Sequence, residues 1–298
     1  MMVGSKFDKL QSLKCYRELK DTKRLERSIG TLGGGNHFIE VDQDETGNKY
    51  LVIHTGSRNL GKQVADYYQN LAYELLCGKD KLLEAQERLI AEYKAQGRRS
   101  ELQQAIKALK AEYRAKDCDI PKDLAYLTGH YKDDYLHDMA ICQEYAMINR
   151  SVILNIILEK LGLGNGHNAF ETIHNYIDIE SNIIRKGAIN ADKGKKLLIP
   201  LNMRDGCIVG IGKGNPDWNN SAPHGAGRIM SRMKAKAAFS MDEYKSSMEG
   251  IFTTSVCEDT LDELPMAYKN MSDIIDVIGD TVEIVNMIKP IYNYKASE

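Results

Sequence analysis

The spacing of apolar and polar positions changes several times along the 298-residue chain. In several segments apolar side chains recur three and four residues apart, which predicts amphipathic helices. These segments are 6–28, 62–77, about 130–161, about 226–239 and 272–289. The fourth segment is also rich in lysine and arginine, so its predicted helix is basic.

Runs of β-forming residues lie between the helical segments and predict strands. The runs "GTLGGGNHFIEV" and "LVIHTGSRNLG" flank the turn-forming residues "DQDETGNK" and predict a β-hairpin. Residues 170–213 contain further candidate strands, namely "TIHNYIDI", "LLIPLNM" and "CIVGIG". Strands and helices that do not alternate regularly predict an α+β fold.

Residues 79–116 have a helical pattern of their own, with a break at "QGRRS". The apolar residues before the break are expected to face those after it, which predicts an αα-hairpin inserted into the fold. The facing residues are Leu82, Leu83, Leu89 and Ile90 on one side and Leu102, Ile106 and Leu109 on the other. Because no internal repeat or low-complexity linker divides residues 1–298, the sequence predicts one α+β domain that carries this hairpin.

Composition narrows the class of protein. The chain is 43% hydrophobic and 28% charged, as globular proteins are, and no apolar run approaches the roughly 18 residues of a membrane span. An apolar signal core is absent from the first residues, and the six cysteines form no C-x-x-C pair, which predicts a cytoplasmic protein with reduced thiols. With a net charge of −2, any polyanionic partner must be held by local basic patches.

Two histidines of the predicted hairpin are candidate metal ligands. If Val41 pairs with Tyr50 across the turn, His37 pairs with His54. Directly opposed residues have Cβ atoms about 5 Å apart, from which two imidazoles can bind one metal ion. Glycines before His37 and Gly-Ser-Arg after His54 suggest backbone kept clear for a bulky ligand. The alternative is two unrelated polar residues at strand ends.

Two further histidines lie in unusual contexts. His174 lies within a β-like run and has Asn175 beside it, although alone it would be expected in a core. His224 stands in "NNSAPHGAGRIMSR", where Gly225, Ala226 and Gly227 lead into the predicted basic helix. Free N–H groups and the helix dipole would favour an anion there, and a neutral imidazole beside a phosphate can act as a nucleophile. The remaining histidines, His130, His137 and His167, are predicted to be structural.

Basic residues near His224 could add charge to such an anion site. One group follows in the predicted helix, and a second lies in "RKGAINADKGKK". The two groups are Arg228, Arg232, Lys234 and Lys236, and Arg185, Lys186, Lys193, Lys195 and Lys196. The alternative is a solvated basic helix after a turn, but that alternative leaves the histidine unexplained.

These motifs, taken together and in order, resemble those of the RtcB family of RNA ligases. The matching stretches are "GTLGGGNHFIE", "HTGSRNLG", "HNY", "RKGA", "SAPHGAGRIMSR" and "ELPMAYKN". The resemblance implies a single catalytic domain with mixed β-sheets, flanking helices and the inserted hairpin. It further implies GTP- and Mn²⁺-dependent joining of RNA ends that bear a 2′,3′-cyclic phosphate or 3′-phosphate to 5′-hydroxyl ends, in tRNA splicing or in RNA repair.

The resemblance also assigns roles to residues. His224 matches the histidine that becomes guanylylated, and His37, His54 and His174 match histidine ligands of two manganese ions. The residues that match nucleotide-contacting positions are Asn36, His37, Phe38, Ile39, Glu40, His174, Asn175, Pro200, Leu201, Asn202, Met203, Cys207, His224, Gly225, Ala226, Gly227, Tyr268 and Lys295. Of these, Tyr268 and Lys295 match residues near the guanine.

The chain departs from the family pattern at several positions. "PLNM" replaces a usual Pro-Gly-Ser-Met loop, and Cys207 stands where the family has a serine. Strict strand alternation would also turn Glu40 away from His37. The family's Asp-x-Gly-Cys-Gly-Met motif, whose aspartate and cysteine bind manganese, does not occur in this sequence, and Cys15 lies in an unrelated context. The chain is therefore expected to start inside the family pattern.

Two alternatives to the ligase hypothesis follow from the same residues. A metal-dependent phosphatase or nuclease could use His37, His54 and His174, with His224 as a phosphate ligand. A non-catalytic remnant could bind nucleotide or RNA after losing the missing metal ligands.

Overall fold

The computed structural model describes residues 7–112, 120–164 and 168–296 and has the α+β fold that the sequence predicts. The chain forms two compact units. The first consists of the described residues of Met1–Lys23 and Asn59–Cys142, and the second of those of Arg24–Arg58 and Gln143–Glu298. That the whole chain acts as one domain stays a prediction. Within the described part, no helix is both long enough and apolar enough to cross a membrane.

The first unit is helical. Its main elements are α2 (Leu60–Glu74), a π-helical turn (Leu75–Lys79), α3 (Asp80–Ala95), α4 (Leu102–Glu112) and the first part of α5 (Gly129–Lys160). Helices α3 and α4 pack against each other, and the apolar residues predicted to face each other there are half-buried. Residues 113–116 of the predicted 79–116 hairpin lie outside the described residues, and its being an insertion stays a prediction.

The prediction of one helix over residues 6–28 is wrong. The structure has two 3₁₀ turns, Asp8–Ser12 and Tyr16–Glu18, followed by the short helix α1 (Thr22–Arg27). The chain leaves helical geometry at Leu13, where ψ is 131°. The carboxylate of Asp138 then accepts hydrogen bonds from the backbone N–H groups of Lys14 at 2.8 Å and Cys15 at 3.0 Å. A buried acceptor on a distant helix thus overrides the local helical spacing.

Asp138 is expected to be essential for the stability of the first unit. It is fully buried and also accepts hydrogen bonds from Tyr68 Oη and His137 Nδ1, at 2.8 and 2.9 Å. Burial favours protonation, but these hydrogen bonds outweigh it and lower the pKa of Asp138. The change Asp138→Asn should lower the free energy of unfolding by about 2–3 kcal/mol, because an amide replaces one acceptor oxygen with a donor.

Thermal and urea unfolding test this prediction, with Asp133→Asn, at an exposed position of the same helix, as the control. Equal stability of the two variants would contradict it.

The second unit contains two sheets. The larger has the order β2-β1-β9-β6-β5 and is antiparallel, with β8 added parallel to β9. The smaller, antiparallel sheet has the order β3-β4-β7. The strands are β1 (Phe38–Gln43), β2 (Lys49–His54), β3 (His174–Asp178), β4 (Ile183–Asn190), β5 (Lys196–Asn202), β6 (Gly206–Gly212), β7 (Ser221–Pro223), β8 (Phe252–Thr253) and β9 (Val282–Lys295).

Short helices complete this unit. They are α6 (Arg232–Ala238), α7 (Met241–Ser247) and α8 (Met271–Ile278), with 3₁₀ turns at Pro216–Trp218, Glu258–Glu263 and Pro265–Ala267. One apolar core includes Ile199, Ile208, Ile274 and Ile278, so α8 packs on the larger sheet.

The prediction of a helix over residues 272–289 is wrong for the second half of that range. Helix α8 ends at Ile278, and residues 282–295 form β9, which pairs with β1 on one side and β6 on the other. Val282, Ile284, Val285 and Ile288 are β-branched and suit a strand. Pro290 lies beside a bulge in the β1–β9 pairing, where a missing N–H is tolerated. Pairing with two strands that are distant in the sequence makes this segment a strand and not a helix.

Candidate active site

The two histidines of the β-hairpin are neighbours, but their predicted register is wrong by one residue. Phe38, not His37, lies opposite His54, and Val41 lies opposite Leu51. His37 precedes β1, so strand alternation does not direct its side chain. Its ring centroid lies 5.9 Å from that of His54. The imidazoles therefore approach each other although their backbones are not paired.

The glycines before His37 make room for another part of the same chain. Gly33 has a φ of +88°, and a Cβ there would lie 1.5 Å from Nη1 of Arg58. Arg58 Nε donates to Thr31 Oγ1 at 2.9 Å. At this glycine the bulky neighbour is thus an arginine, not a ligand.

Two other segments bring His174 and His224 to this pair. His174 is the first residue of β3, and His224 directly follows β7. Strand β4 joins them, because His174 lies opposite Ile189 and Pro223 opposite Ala188. The ring of His174 lies 5.4 Å from that of His54 and 4.7 Å from that of His224. We call these four residues, His37, His54, His174 and His224, the histidine cluster.

Three members of the cluster fit a metal ion chemically. Burial lowers the pKa of His37 and holds the pKa of His54 well below its usual range. Burial and the neighbouring His224 lower the pKa of His174 to about 4, and neutral imidazole is the form that binds metals. The Nε2 atoms of His54 and His174 lie 3.2 Å apart, and the Nδ1 atoms of all three rings are buried without a hydrogen-bond partner. That the ion is manganese stays a prediction.

His224 is held in a defined orientation by backbone. Its Nδ1 lies 2.7 Å from the carbonyl oxygen of Gly187. A carbonyl oxygen only accepts hydrogen bonds, so Nδ1 carries the proton and the neutral ring has its lone pair on Nε2. Gly187 has a φ of +66°, and its N–H donates to Asn175 Oδ1 at 2.8 Å. Asn175 thus holds the part of β4 that orients His224, and the ring presents a nucleophilic nitrogen.

The predicted helix dipole behind His224 is absent. Helix α6 begins only at Arg232, with Ser231 as its N-cap. The first part of the helix predicted over about 226–239 is therefore wrong, because residues 226–231 are not helical. Ala226 N–H donates to Pro200 O at 3.1 Å and Ile229 N–H to Ala267 O at 2.9 Å. Hydrogen bonds to β5 and to the 3₁₀ turn, with a single β-bridge between Arg228 and Tyr268, hold this segment in a non-helical conformation that the local sequence does not reveal.

The arginines of the predicted basic groups are paired with acidic residues. Arg232 contacts Asp262 at 2.9 Å and Glu263 at 3.1 Å, and Arg228 contacts Glu263 at 3.4 Å. In the second group Arg185 is buried and binds Asp178 at 2.9 Å. These arginines have structural partners, so the idea that they form an open anion site is not supported by their contacts.

Glu263 is a central residue that the sequence reasoning missed. It is 2% exposed, and its carboxylate accepts from Lys295 Nζ at 2.7 Å and Tyr268 Oη at 2.6 Å. Tyr268 and Lys295, both predicted to lie near the base, are thus brought together by Glu263. Its place at the start of "ELPMAYKN", five residues before Tyr268, was the available signal.

The remaining predicted nucleotide contacts differ in burial and in what holds them. Leu201 and Met203 are buried in the core, whereas Asn36 and Gly227 are exposed. Asn202 donates to Asp205 and accepts from the N–H groups of Arg204 and Asp205, so its side chain is held within the β5–β6 turn. Ile39 lies on the sheet face opposite to that of Phe38 and Glu40. Contact of any of these residues with a nucleotide stays a prediction.

Glu40 and Cys207 lie side by side with a second carboxylate. Phe38 and Glu40 share the sheet face that His54 joins, because His54 is opposite Phe38. In the described ranges, Glu40, Asp42 and Cys207 are the His, Cys, Asp or Glu residues that bring three ligand atoms within 4.8 Å of one another. His130 and His137 lie in the other unit, and His167 lies outside the described residues.

Comparisons with known proteins find one family. The family described as tRNA-splicing ligase RtcB matches residues 8–296. The RNA-splicing ligase RtcB of Escherichia coli K12 is 30% identical over 283 residues, which cover 89% of this chain and 60% of that protein. The tRNA-splicing ligases RtcB of Aeropyrum pernix and Archaeoglobus fulgidus are 28% and 27% identical and cover 86% and 87% of this chain. The chain spans about 60% of the length of the curated relatives from Escherichia coli.

Proposed function

We propose a function on the premise that this chain belongs to the tRNA-splicing ligase RtcB family, whose pattern covers residues 8–296. The chain contributes the nucleotide-transfer part of an RNA ligase. The enzyme joins RNA ends bearing a 2′,3′-cyclic phosphate or 3′-phosphate to 5′-hydroxyl ends, using GTP and manganese, in the cytoplasm. Its substrates are tRNA halves or other cleaved RNAs.

The orientation of His224 carries this proposal. Because Nδ1 donates its proton to Gly187 O at 2.7 Å, Nε2 holds the free electron pair. In the proposed step Nε2 forms a bond to the α-phosphorus of GTP, and the bond from that phosphorus to the bridging oxygen breaks to release pyrophosphate. The Nδ1 proton stays on the ring, where the Gly187 carbonyl stabilises the positive charge that develops.

In this proposal the other three histidines of the cluster bind the metal ion, and further residues orient the guanine. His37, His54 and His174 would hold manganese, and that ion would neutralise charge on the reacting phosphate. The contact between the rings of His174 and His224, 4.7 Å apart, supports a metal site directly beside the nucleophile. Tyr268 and Lys295 are held by Glu263 on the side proposed for the guanine.

Incubating the chain with α-labelled GTP and manganese, followed by denaturing electrophoresis, tests the proposal. We expect a covalent label from GTP but not from ATP. The label should be lost in acid and kept in base, as a phosphoramidate is and an acyl phosphate is not.

Other outcomes favour the alternatives. Release of phosphate without any label would indicate a hydrolase that uses the same histidines. Neither label nor release, in protein that unfolds cooperatively and binds manganese, would indicate a nucleotide- or RNA-binding remnant.

A further inference from the structure

Asn149, a fully buried residue of helix α5, holds two loops of its own unit through its side-chain amide. Its Oδ1 accepts hydrogen bonds from the N–H groups of Gly30 and Thr31, at 2.7 and 3.2 Å. Its Nδ2 donates to the carbonyl oxygens of Thr31 and Gly56, both at 3.2 Å. An amide side chain has two donor hydrogens and two acceptor lone pairs, so these four hydrogen bonds use its whole capacity.

The two loops lie on either side of the β1–β2 hairpin, one before His37 and the other after His54. They also contact each other, because Thr55 Oγ1 donates to the carbonyl oxygen of Leu32 at 2.6 Å. Strand pairing does not reach His37, which precedes β1. Asn149 therefore helps to fix the loop from which the ring of His37 approaches that of His54.

A glycine lets the first loop approach helix α5 closely. Gly30 has a φ of +80°, a conformation that side chains rarely adopt, and a Cβ there would lie 2.8 Å from Cγ1 of Val152. Val152 follows Asn149 by three residues on the helix, and its β-branched side chain is stiff. Glycine is therefore required where the loop reaches the amide of Asn149.

The next residue of the helix, Arg150, extends these contacts to a third segment. Its Nη1 donates to the carbonyl oxygen of Thr55, directly after His54, at 3.0 Å. Its Nε contacts Glu171 Oε1 at 2.6 Å, and Glu171 lies three residues before His174. One planar guanidinium thus joins the backbone after one histidine to the segment before another.

We propose that Asn149 and Arg150 are positioning residues of the histidine cluster, which hold its three candidate metal ligands in place from helix α5. The inference rests on the proposed function, in which His37, His54 and His174 bind a metal ion. Neither positioning residue is itself a ligand, and both act through the backbone of the loops. Loss of groups that orient metal ligands typically weakens metal binding by about 10–100-fold.

Titration of the full chain with Mn²⁺ and, separately, with Co²⁺ tests the proposal. Cobalt binds imidazole sites more tightly than manganese does, and its binding is followed by visible absorption. We expect Asn149→Ala to weaken the binding of each ion by about 10–100-fold, because alanine keeps the helix but leaves the two loops without their common partner. Calorimetry measures the affinity for manganese.

Unfolding measurements separate positioning from a purely structural role. A purely structural role would lower the free energy of unfolding without changing the metal affinity of the folded protein, so both quantities are measured on the same preparations. Asn155→Ala, at an exposed position of the same helix, is the matched control and should change neither. His54→Ala should lose the metal binding that the titration reports. Equal metal affinity of Asn149→Ala and Asn155→Ala would overturn the proposal.

Arg150→Lys tests the second residue and decides the case if Asn149→Ala does not fold. Arg150 and His174 are close enough for their charges to interact, so removing the positive charge would by itself favour a bound cation. Lysine keeps the charge, but its single ammonium group cannot replace the planar fork that joins Thr55 to Glu171. We expect metal binding about tenfold weaker or more. Unchanged binding in the folded variant would overturn the proposal.

Failure of this inference can be told apart from failure of the proposed function. A wild type that takes the GTP label, with undiminished metal binding in both variants, would overturn only the positioning role. Weaker metal binding in the variants, together with a wild type that takes no label, would support the positioning role and count against the ligase. A wild type that binds neither ion would overturn the positioning role, because the cluster would then hold no metal.

Discussion

Replacing His224 by alanine is expected to abolish covalent labelling of the protein by GTP completely. The methyl group of alanine has no lone pair, so no phosphorus–nitrogen bond can form. The change should leave the fold intact, because the imidazole is only half-buried and its one hydrogen bond is to the Gly187 carbonyl. Denaturing electrophoresis after incubation with α-labelled GTP and manganese measures the loss.

The matched control for this experiment is His130→Ala. His130 is exposed and belongs to the helical unit, whereas the histidine cluster belongs to the other unit, so its replacement should leave the label unchanged. A label that remains in His224→Ala would refute the assignment of the nucleophile. Mapping the modified peptide would then identify the residue that carries it.

Replacing Glu263 by glutamine is expected to lower the free energy of unfolding by about 3–5 kcal/mol, the usual cost of breaking a buried ion pair. The side chain is 2% exposed, and its partner Lys295 is 8% exposed. Without the carboxylate, the ammonium group of Lys295 is left buried without its partner at 2.7 Å. Arg228 and Arg232 lose the same partner, but the side chain of Arg232 is 41% exposed, so its ion pair contributes less.

Glu263 should also make the free energy of unfolding depend on pH. Burial favours protonation of Glu263, but Lys295, Tyr268 and Arg232 outweigh it and lower the pKa below the ordinary 4.5. The folded protein therefore binds fewer protons there than the unfolded chain does. The stabilisation is complete above pH 4.5 and is lost as the pH falls through the folded-state pKa.

Urea unfolding at neutral and acidic pH measures both effects. Glu258→Gln, at an exposed position of the same 3₁₀ turn, is the control and should unfold like the wild type. Glu263→Gln should lose part of the acid dependence that the wild type shows. A variant as stable as the control at neutral pH would mean that the ion pair does not stabilise the fold.

Local spacing was a reliable guide wherever the pattern of a segment agrees with the surroundings that the fold gives it. The long helix α5, helix α2 and the strands of 170–213 lie close to their predicted positions. The hairpin around "DQDETGNK" is confirmed, because Asp44 and Asn48 close the turn through hydrogen bonds within it. The motifs around His37, His54, His174 and His224 also sufficed to recognise the family, since ordered short motifs are a property of sequence alone.

Only the tertiary structure decided the features that depend on distant partners. Asp138 removes the N-terminal segment from helical geometry, and β1 and β6 turn residues 282–295 into the central strand. The one-residue change in the hairpin register left His37 outside the strand, and the ring contact with His54 arises from the loop before it. Glu263 became visible only through what surrounds it, namely one lysine and two arginines from other segments. Local spacing encodes which face of an element is apolar, but the charge and hydrogen-bond balance of a buried group depends on residues far away in the sequence.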